Sequence, residues 1–352
     1  WRDDPEHYCD RRWTHVIAPF EIPRHWEIVR GFDFGYTRPF SVGWYAVDTK
    51  GCIYRIREYY GCTDKANEGI RLEPSAIAEN IRKIERDDPN IRGRNVYGVA
   101  DPSIFDKSRG ESVADLMARP PYFIIWSPGD NARISGKMQY HNRLAFNSDG
   151  EAMFYCFNTC REFIRTIPAL MYDEKNVEDI DTTMEDHIYD ECRYVLMEQV
   201  RKARQTLAKY KEGKAVLDKR IVSNEQWWKL RHWGEIGCDK DDTRPMPASA
   251  WLFNSLANKH ADAMDNIPEP TVLPREKSDE EVAKQLSLIL PAILERCGYE
   301  KLYSDGWWYK LKNGSMCTAV VWDPDADGGM GDIAIRNADI LNLFWEPGIK
   351  DI

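Results

Sequence analysis

Apolar residues near the start of the chain fall in three closely spaced runs, over about 29–35, 40–48 and 52–60. The second, Phe40-Ser-Val-Gly-Trp-Tyr-Ala-Val47, partly alternates and is rich in aromatic and β-branched residues, which suits a pleated strand. Asp48-Thr-Lys-Gly51 is turn chemistry between the second and third runs, so the three predict an antiparallel meander. Pro74 then opens a stretch with Ile77, Ile81 and Ile84 at helical spacing, which predicts a helix over 74–87. A strand at 96–100 follows, then a short helix near 111–118 and a strand at 122–126. Next come a helix near 133–146, an apolar run at 152–157, a helical segment over 158–170 and a helix over 183–198.

The order β-β-β-α-β-α-β-α predicts an α/β fold, an RNase H-like mixed sheet flanked by helices, over residues 29–199. Residues 1–28, rich in Trp, His, Pro and charge, read as a linker into that domain. The chain starts at Trp1, and its opening reads as the tail of something longer. After about residue 199 the pattern changes. Helices are expected over 200–233, first basic (Arg201, Lys202, Arg204, Lys209) and then Trp-rich (Trp227, Trp228, Trp233). A loop at 234–249 precedes a helix at 250–265. Pro268, Pro270 and Pro274 mark a break, and a helix at 278–297 forms in spite of Pro291. Strand-like pieces follow at 306–311, 317–322 and 331–335, and no closing element comes after them. Residues 200–352 are therefore expected to be an incomplete mixed α+β unit.

Composition narrows this picture. Of 352 residues, 43% are hydrophobic and 30% charged, ordinary values for a globular chain. The net charge of −10 argues against a generally adhesive nucleic-acid binder, so any DNA contact needs a local basic patch. Nine cysteines occur with no CxxC pair; Cys156 and Cys160 lack a second ligand pair, so reduced thiols are expected rather than zinc. No run approaches the ~18–20 apolar residues of a membrane span, and no signal peptide is evident.

Three aspartates carry the candidate chemistry. Asp33 lies in Val29-Arg-Gly-Phe-Asp-Phe-Gly35, where burying an unpaired carboxylate would cost several kcal/mol. Asp101 ends the apolar run Val96-Tyr-Gly-Val-Ala-Asp-Pro102, where an Asp before Pro also serves as a turn former. Asp190 belongs to the helical Glu185-Asp-His-Ile-Tyr-Asp-Glu-Cys-Arg-Tyr194. Two carboxylates at strand ends and a third on a later helix are what two Mg²⁺ or Mn²⁺ ions need to cleave a phosphodiester. His187, three residues before Asp190, is either a further metal ligand or a histidine that supports the ligands. Asp186 reads better as a carboxylate near a helix start. Arg133, Lys137 and Arg143 lie on one predicted helix, and Arg38 and Lys107 follow the two strand carboxylates. Each alone is a solvated charge; together they make a local patch for DNA phosphates.

At Phe32-Asp-Phe-Gly-Tyr36, Ala100-Asp-Pro-Ser-Ile104 and Asp186-His-Ile-Tyr-Asp-Glu-Cys-Arg-Tyr194, the sequence resembles the C-terminal nuclease domain of phage terminase large subunits. The stretches Asn158–Pro168 and Tyr172–Lys175 look like that family's segment before its last catalytic helix, and the resemblance covers roughly residues 15–198. It implies that Asp33, Asp101 and Asp190 bind two divalent metals for hydrolysis of concatemeric double-stranded DNA. It also implies a portal ring and a terminase small subunit or ATPase half as partners, in the cytoplasm of a bacterial host, at the portal vertex. No GxxxxGK[ST] loop is present, so cutting without ATP hydrolysis is expected. From about Lys202, segments such as Asn224–Arg231, Ser249–Met264 and Asn342–Gly348 resemble the N-terminal part of a phage portal protein. Two rival readings stand beside the nuclease: a structural module of the packaging vertex, and another RNase H-like nuclease such as a junction resolvase.

Overall fold

Seven strands make one mixed sheet in the order β1-β7-β4-β3-β2-β5-β6 in the computed structural model, which describes residues 1–108, 110–173, 176, 178–237 and 245–348. Its centre is the predicted meander: β2 (Glu27–Asp33), β3 (Ser41–Val47) and β4 (Ile53–Tyr60), all antiparallel. The turn between β3 and β4 forms because Asp48 Oδ1 accepts from the amides of Lys50 and Cys52, both at 2.8 Å, while Gly51 takes the left-handed conformation (φ +81°). β5 (Val96–Ala100) runs parallel to β2, and β6 (Ser127–Pro128) runs parallel to β5. β7 (Phe154–Phe157) lies parallel to β4 on the other side, with β1 (Val16–Ile17) beyond it.

Almost every residue of β2 and β3 is buried, because helices cover both faces of the sheet. On one face lies α1 (Pro74–Asp87), which buries Ile77, Ala78 and Ile81 at helical spacing. Its Glu85 accepts from Arg30 on β2 and, at 3.1 Å, from the indole of Trp44 on β3. On the other face lies the start of α5 (His187–Trp228), with α3 (Arg133–Leu144) packed against it. Tyr140 of α3 stacks on Tyr189 of α5 with ring centroids 4.6 Å apart. A Cβ at Gly136 of α3 would lie 2.4 Å from Arg193 Cγ, so the glycine permits that close approach. The short helices α2 (Val113–Ala118) and α4 (Arg161–Thr166) complete this part.

The chain divides into two compact units, Trp1–Arg204 and Gln205–Ile352. The linker expected over 1–28 instead contributes β1 to the sheet, with Val16 and Ile17 fully buried. The break expected near residue 199 does not interrupt the helix. No Gly or Pro stands between His187 and Lys211, so nothing in that stretch ends α5. The strand expected at 122–126 shrinks to two residues at 127–128, since Phe123 takes a left-handed backbone (φ +52°) that breaks an extended run.

In the second unit, the helices α6 (Trp251–Met264) and α7 (Glu280–Arg296) follow the rest of α5. The piece at 306–311 is not a strand but part of α8 (Tyr299–Asn313). Tyr299, Tyr303 and Trp307 are four apart and touch ring to ring, at 5.8 and 6.1 Å, an arrangement that a helix provides and a strand does not. Gly314 in the left-handed conformation caps it. β8 (Cys317–Asp323) and β9 (Asp332–Ala338) form a two-stranded antiparallel ribbon, with Val320 and Trp322 exposed. No helix among the described residues is long and apolar enough to cross a membrane.

Candidate active site

Asp33 is the last residue of β2, and Asp101 follows the last residue of the neighbouring parallel strand β5. The amide of Asp101 donates to the carbonyl of Phe32 at 3.0 Å, which fixes the two strand ends side by side. Carboxylates at adjoining C-terminal ends of parallel strands are where a mixed α/β sheet opens to a ligand.

The two aspartates sit in different surroundings. Asp33 is only 7% exposed. Its Oδ2 lies 2.9 Å from His187 Nδ1, and burial pushes its pKa up to about 7 against the opposing pull of that histidine. The charges of Asp190 and Asp101 push in the same direction as burial, so the three carboxylates lie within one another's field. Asp101 uses both oxygens: Oδ1 accepts from the Ser103 amide at 2.6 Å, and Oδ2 accepts from the Tyr194 hydroxyl at 2.9 Å. Asp101 thus forms the turn and reaches α5 at the same time. Burial and the nearby Asp33 carboxylate raise the Tyr194 pKa well above its ordinary value, so this hydroxyl stays a donor.

Asp190 is held by two guanidinium groups. Arg193 Nε donates at 3.0 Å, and Arg133 Nη1 approaches at 3.0 and 3.3 Å. Arg133 also binds Asp179 through Nε at 2.8 Å and lies 3.7 Å from Asp186. Asp186 stands just before the helix, and its carbonyl accepts from the Asp190 amide at 2.9 Å. Burial and the charge of Asp190 raise its pKa to about 6. For His187, burial pulls the pKa down, but the hydrogen bond and charge of Asp33 outweigh it and the net shift is upward. His187 Nε2 is buried without a hydrogen-bond partner among the described residues.

The candidate cations divide. Arg38 is exposed, and its charge reaches His187. Lys107 is exposed and pairs with Asp115 at 2.9 Å. Lys137 is buried, within 3.4 Å of the Asp179 carbonyl and over the Tyr172 ring at 4.2 Å. Arg143 does not join a patch: it donates to the carbonyl of Gly51 at 2.8 Å, because the end of α3 packs against the β3–β4 turn. Arg133 faces carboxylates of the site rather than open surface.

The sequence reading missed Tyr194, Arg193 and Glu191. Tyr194 is four residues after Asp190 and seven after His187, a helical period that places it on their side of α5.

Asp33 and Asp101 carry the hard carboxylate oxygens that divalent cations take, the Asp33 pKa is raised partly by like charges, and the His187 Nε2 beside it is buried without a partner among the described residues. In the present arrangement, no three His, Cys, Asp or Glu side chains among the described residues converge closely enough to hold an ion. Asp190 is instead neutralised by arginines. Asp33 and Asp101 supply the donor type a divalent cation takes, while Asp190 is engaged elsewhere.

No family model matches the chain, and no curated protein matches it. Among solved structures it is similar to the P22 large terminase nuclease domain, with 17% identity over 52% of this chain and 87% of that one, at a TM-score of 0.41. It is also similar to the large terminase from the thermophilic bacteriophage D6E in complex with ADP, with 20% identity over 52% of this chain and a TM-score of 0.41. That match spans 41% of the D6E chain.

Proposed function

We propose that the first unit is a metal-dependent DNA endonuclease of the phage-packaging terminase kind, acting on double-stranded DNA. The observation that carries this reading is the buried Asp33 at a strand end, close enough to Asp101 and Asp190 for both to raise its pKa. The sequence pattern around these three residues supports it independently. Asp33, Asp101 and Asp190 would hold Mg²⁺ or Mn²⁺, and two such ions supply Lewis-acid polarisation of a phosphodiester and activation of a water.

The chain's own residues prepare the site. His187 orients Asp33 through Nδ1, and the Tyr194 hydroxyl and the Ser103 amide orient Asp101. Arg193 and Arg133 hold the Asp190 carboxylate in place, and Asp190 would complete the donor set for the cation. Arg38 and Lys107, exposed after the two strand aspartates, would meet DNA phosphates at the mouth of the site.

The test is plasmid cleavage with Mg²⁺, with Mn²⁺ and with EDTA, run beside Asp33→Asn. Metal-dependent nicking that the substitution reduces at least about 100-fold (about 2.7 kcal/mol in barrier) is expected. Equal rates in the two proteins would sink the reading. Preference for branched over linear DNA would move it to a junction resolvase.

A structural, assembling role is the second reading, and it concerns residues 205–352. Large apolar side chains stay on the surface there, with Trp251 81% and Leu288 73% exposed. Light scattering decides it: a stable large assembly supports the role, and a clean monomer argues against it.

A further inference from the structure

Glu191 follows Asp190 on α5 but points into the sheet instead of the site. It is fully buried, as is Arg55 of β4, and Arg55 Nη1 donates to Glu191 Oε2 at 2.7 Å. Ser41 Oγ of β3 donates to the same oxygen at 3.2 Å, and Arg55 also bonds Tyr45.

Two glycines make room for this carboxylate. Gly31 of β2 and Gly43 of β3 are paired across the ladder. A Cβ at Gly31 would lie 2.3 Å from Glu191 Oε1, and one at Gly43 would lie 2.5 Å from the same atom. Paired glycines in the middle of a sheet weaken it, so their presence marks a close approach from outside the strand. Neither has a positive φ, so the space, not the backbone conformation, requires them.

The register then follows from geometry. Gly31 and Asp33 are two apart on β2 and face the same side of the sheet. Glu191 and His187 are four apart on α5 and lie on one face of the helix. Four helical residues advance about 6 Å and two strand residues about 6.6 Å, so seating Glu191 over Gly31 brings His187 to Asp33. The 2.9 Å His187–Asp33 contact agrees. Tyr194, on the adjacent stripe with Asp190, then reaches Asp101. A buried ion pair contributes little net stability compared with an apolar pair of the same volume, so stability alone is a weak reason for this one.

We propose that Glu191 is a positioning residue: seated on the Gly31–Gly43 floor and locked to Arg55, it sets the rotation and depth of α5 and so brings His187 to Asp33 and Tyr194 to Asp101, the strand carboxylates proposed to hold the metal. This rests on the nuclease reading above. The experiment is calorimetric titration of the full chain with MnCl₂, with thermal melts alongside. Glu191→Gln is compared with Arg30→Met, which breaks the buried Arg30–Glu85 pair on the opposite face of β2. Both are expected to lower the melting temperature, but only Glu191→Gln should lose tenfold or more in Mn²⁺ affinity. The double variant Glu191→Met with Arg55→Met replaces the pair by apolar side chains. It should recover stability without recovering affinity, and it serves as the test if Glu191→Gln fails to fold. Wild-type affinity in the double variant, or an equal loss in Arg30→Met, would overturn the positioning role while leaving the nuclease reading intact. A wild-type chain that binds no Mn²⁺ would overturn the nuclease reading and this inference with it.

Discussion

Asp33 Oδ2 and His187 Nδ1 lie 2.9 Å apart, in a place where both groups have raised pKa values. An acid raised to about 7 keeps its proton in the folded state after the unfolded chain has lost it, so stability falls as pH rises from about 4 to about 7. His187 acts with the same sign: the stability from its charged form is full below its ordinary value of 6.5 and is lost as pH rises through its raised folded value. In EDTA the melting temperature of the wild type should therefore drop between pH 5 and pH 8 more steeply than that of Asp33→Asn. Parallel curves would contradict the raised Asp33 pKa. Arg133 makes a second residue-scale prediction. It stands among Asp179, Asp186 and Asp190, so Arg133→Ala leaves three carboxylates less compensated and should cost about 1–3 kcal/mol. Because a ligand that binds the folded state stabilises it by mass action, MnCl₂ should raise the melting temperature of this variant more than that of the wild type.

At the scale of elements, the contact of α5 with β2 decides the site's geometry. Gly31→Ala forces a methyl against Glu191 and Val195, so it should cost about 1–3 kcal/mol by overpacking and shift α5. The loss would be read by denaturant unfolding. Much of this layer was legible in the sequence. The alternating run at Phe40–Val47, the turn at Asp48–Gly51 and the Ile77, Ile81, Ile84 spacing each pointed to the element found. Asp33 and Asp101 stood out because charged residues are rare in or at the end of apolar runs, whereas Asp190 lies in a polar helical stretch. What stayed hidden depends on long-range contact. Nothing local says that Arg143 reaches Gly51, 92 residues away, or that Arg55 meets Glu191, 136 residues away. Gly31 and Gly43 were visible as glycines, but their purpose appears only when a third element lies over them. Trp307 and Trp308 misled for a different reason: aromatic residues favour strands by composition, while here the spacing of Trp307 with Tyr303 serves a helix.

Across the whole molecule the two units are unequal. The buried apolar cluster runs from Ile17 to Leu196, all within Trp1–Arg204. In the second unit, Ile221, Ala283 and Ile340 are the buried apolar residues among those described. A chain truncated after Arg204 should thus keep a cooperative melt and its Mn²⁺ binding; loss of either would show that the first unit is not self-sufficient. The β8–β9 ribbon has a different consequence, for handling the protein in solution. It has two strands, no third strand pairs with it among the described residues, and Val320 and Trp322 are 69% and 63% exposed beside its backbone. A short apolar ribbon with open edges is a template on which further chains can stack. Concentrated stocks should turn cloudy on warming before the first unit unfolds, and Val320→Lys should keep them clear.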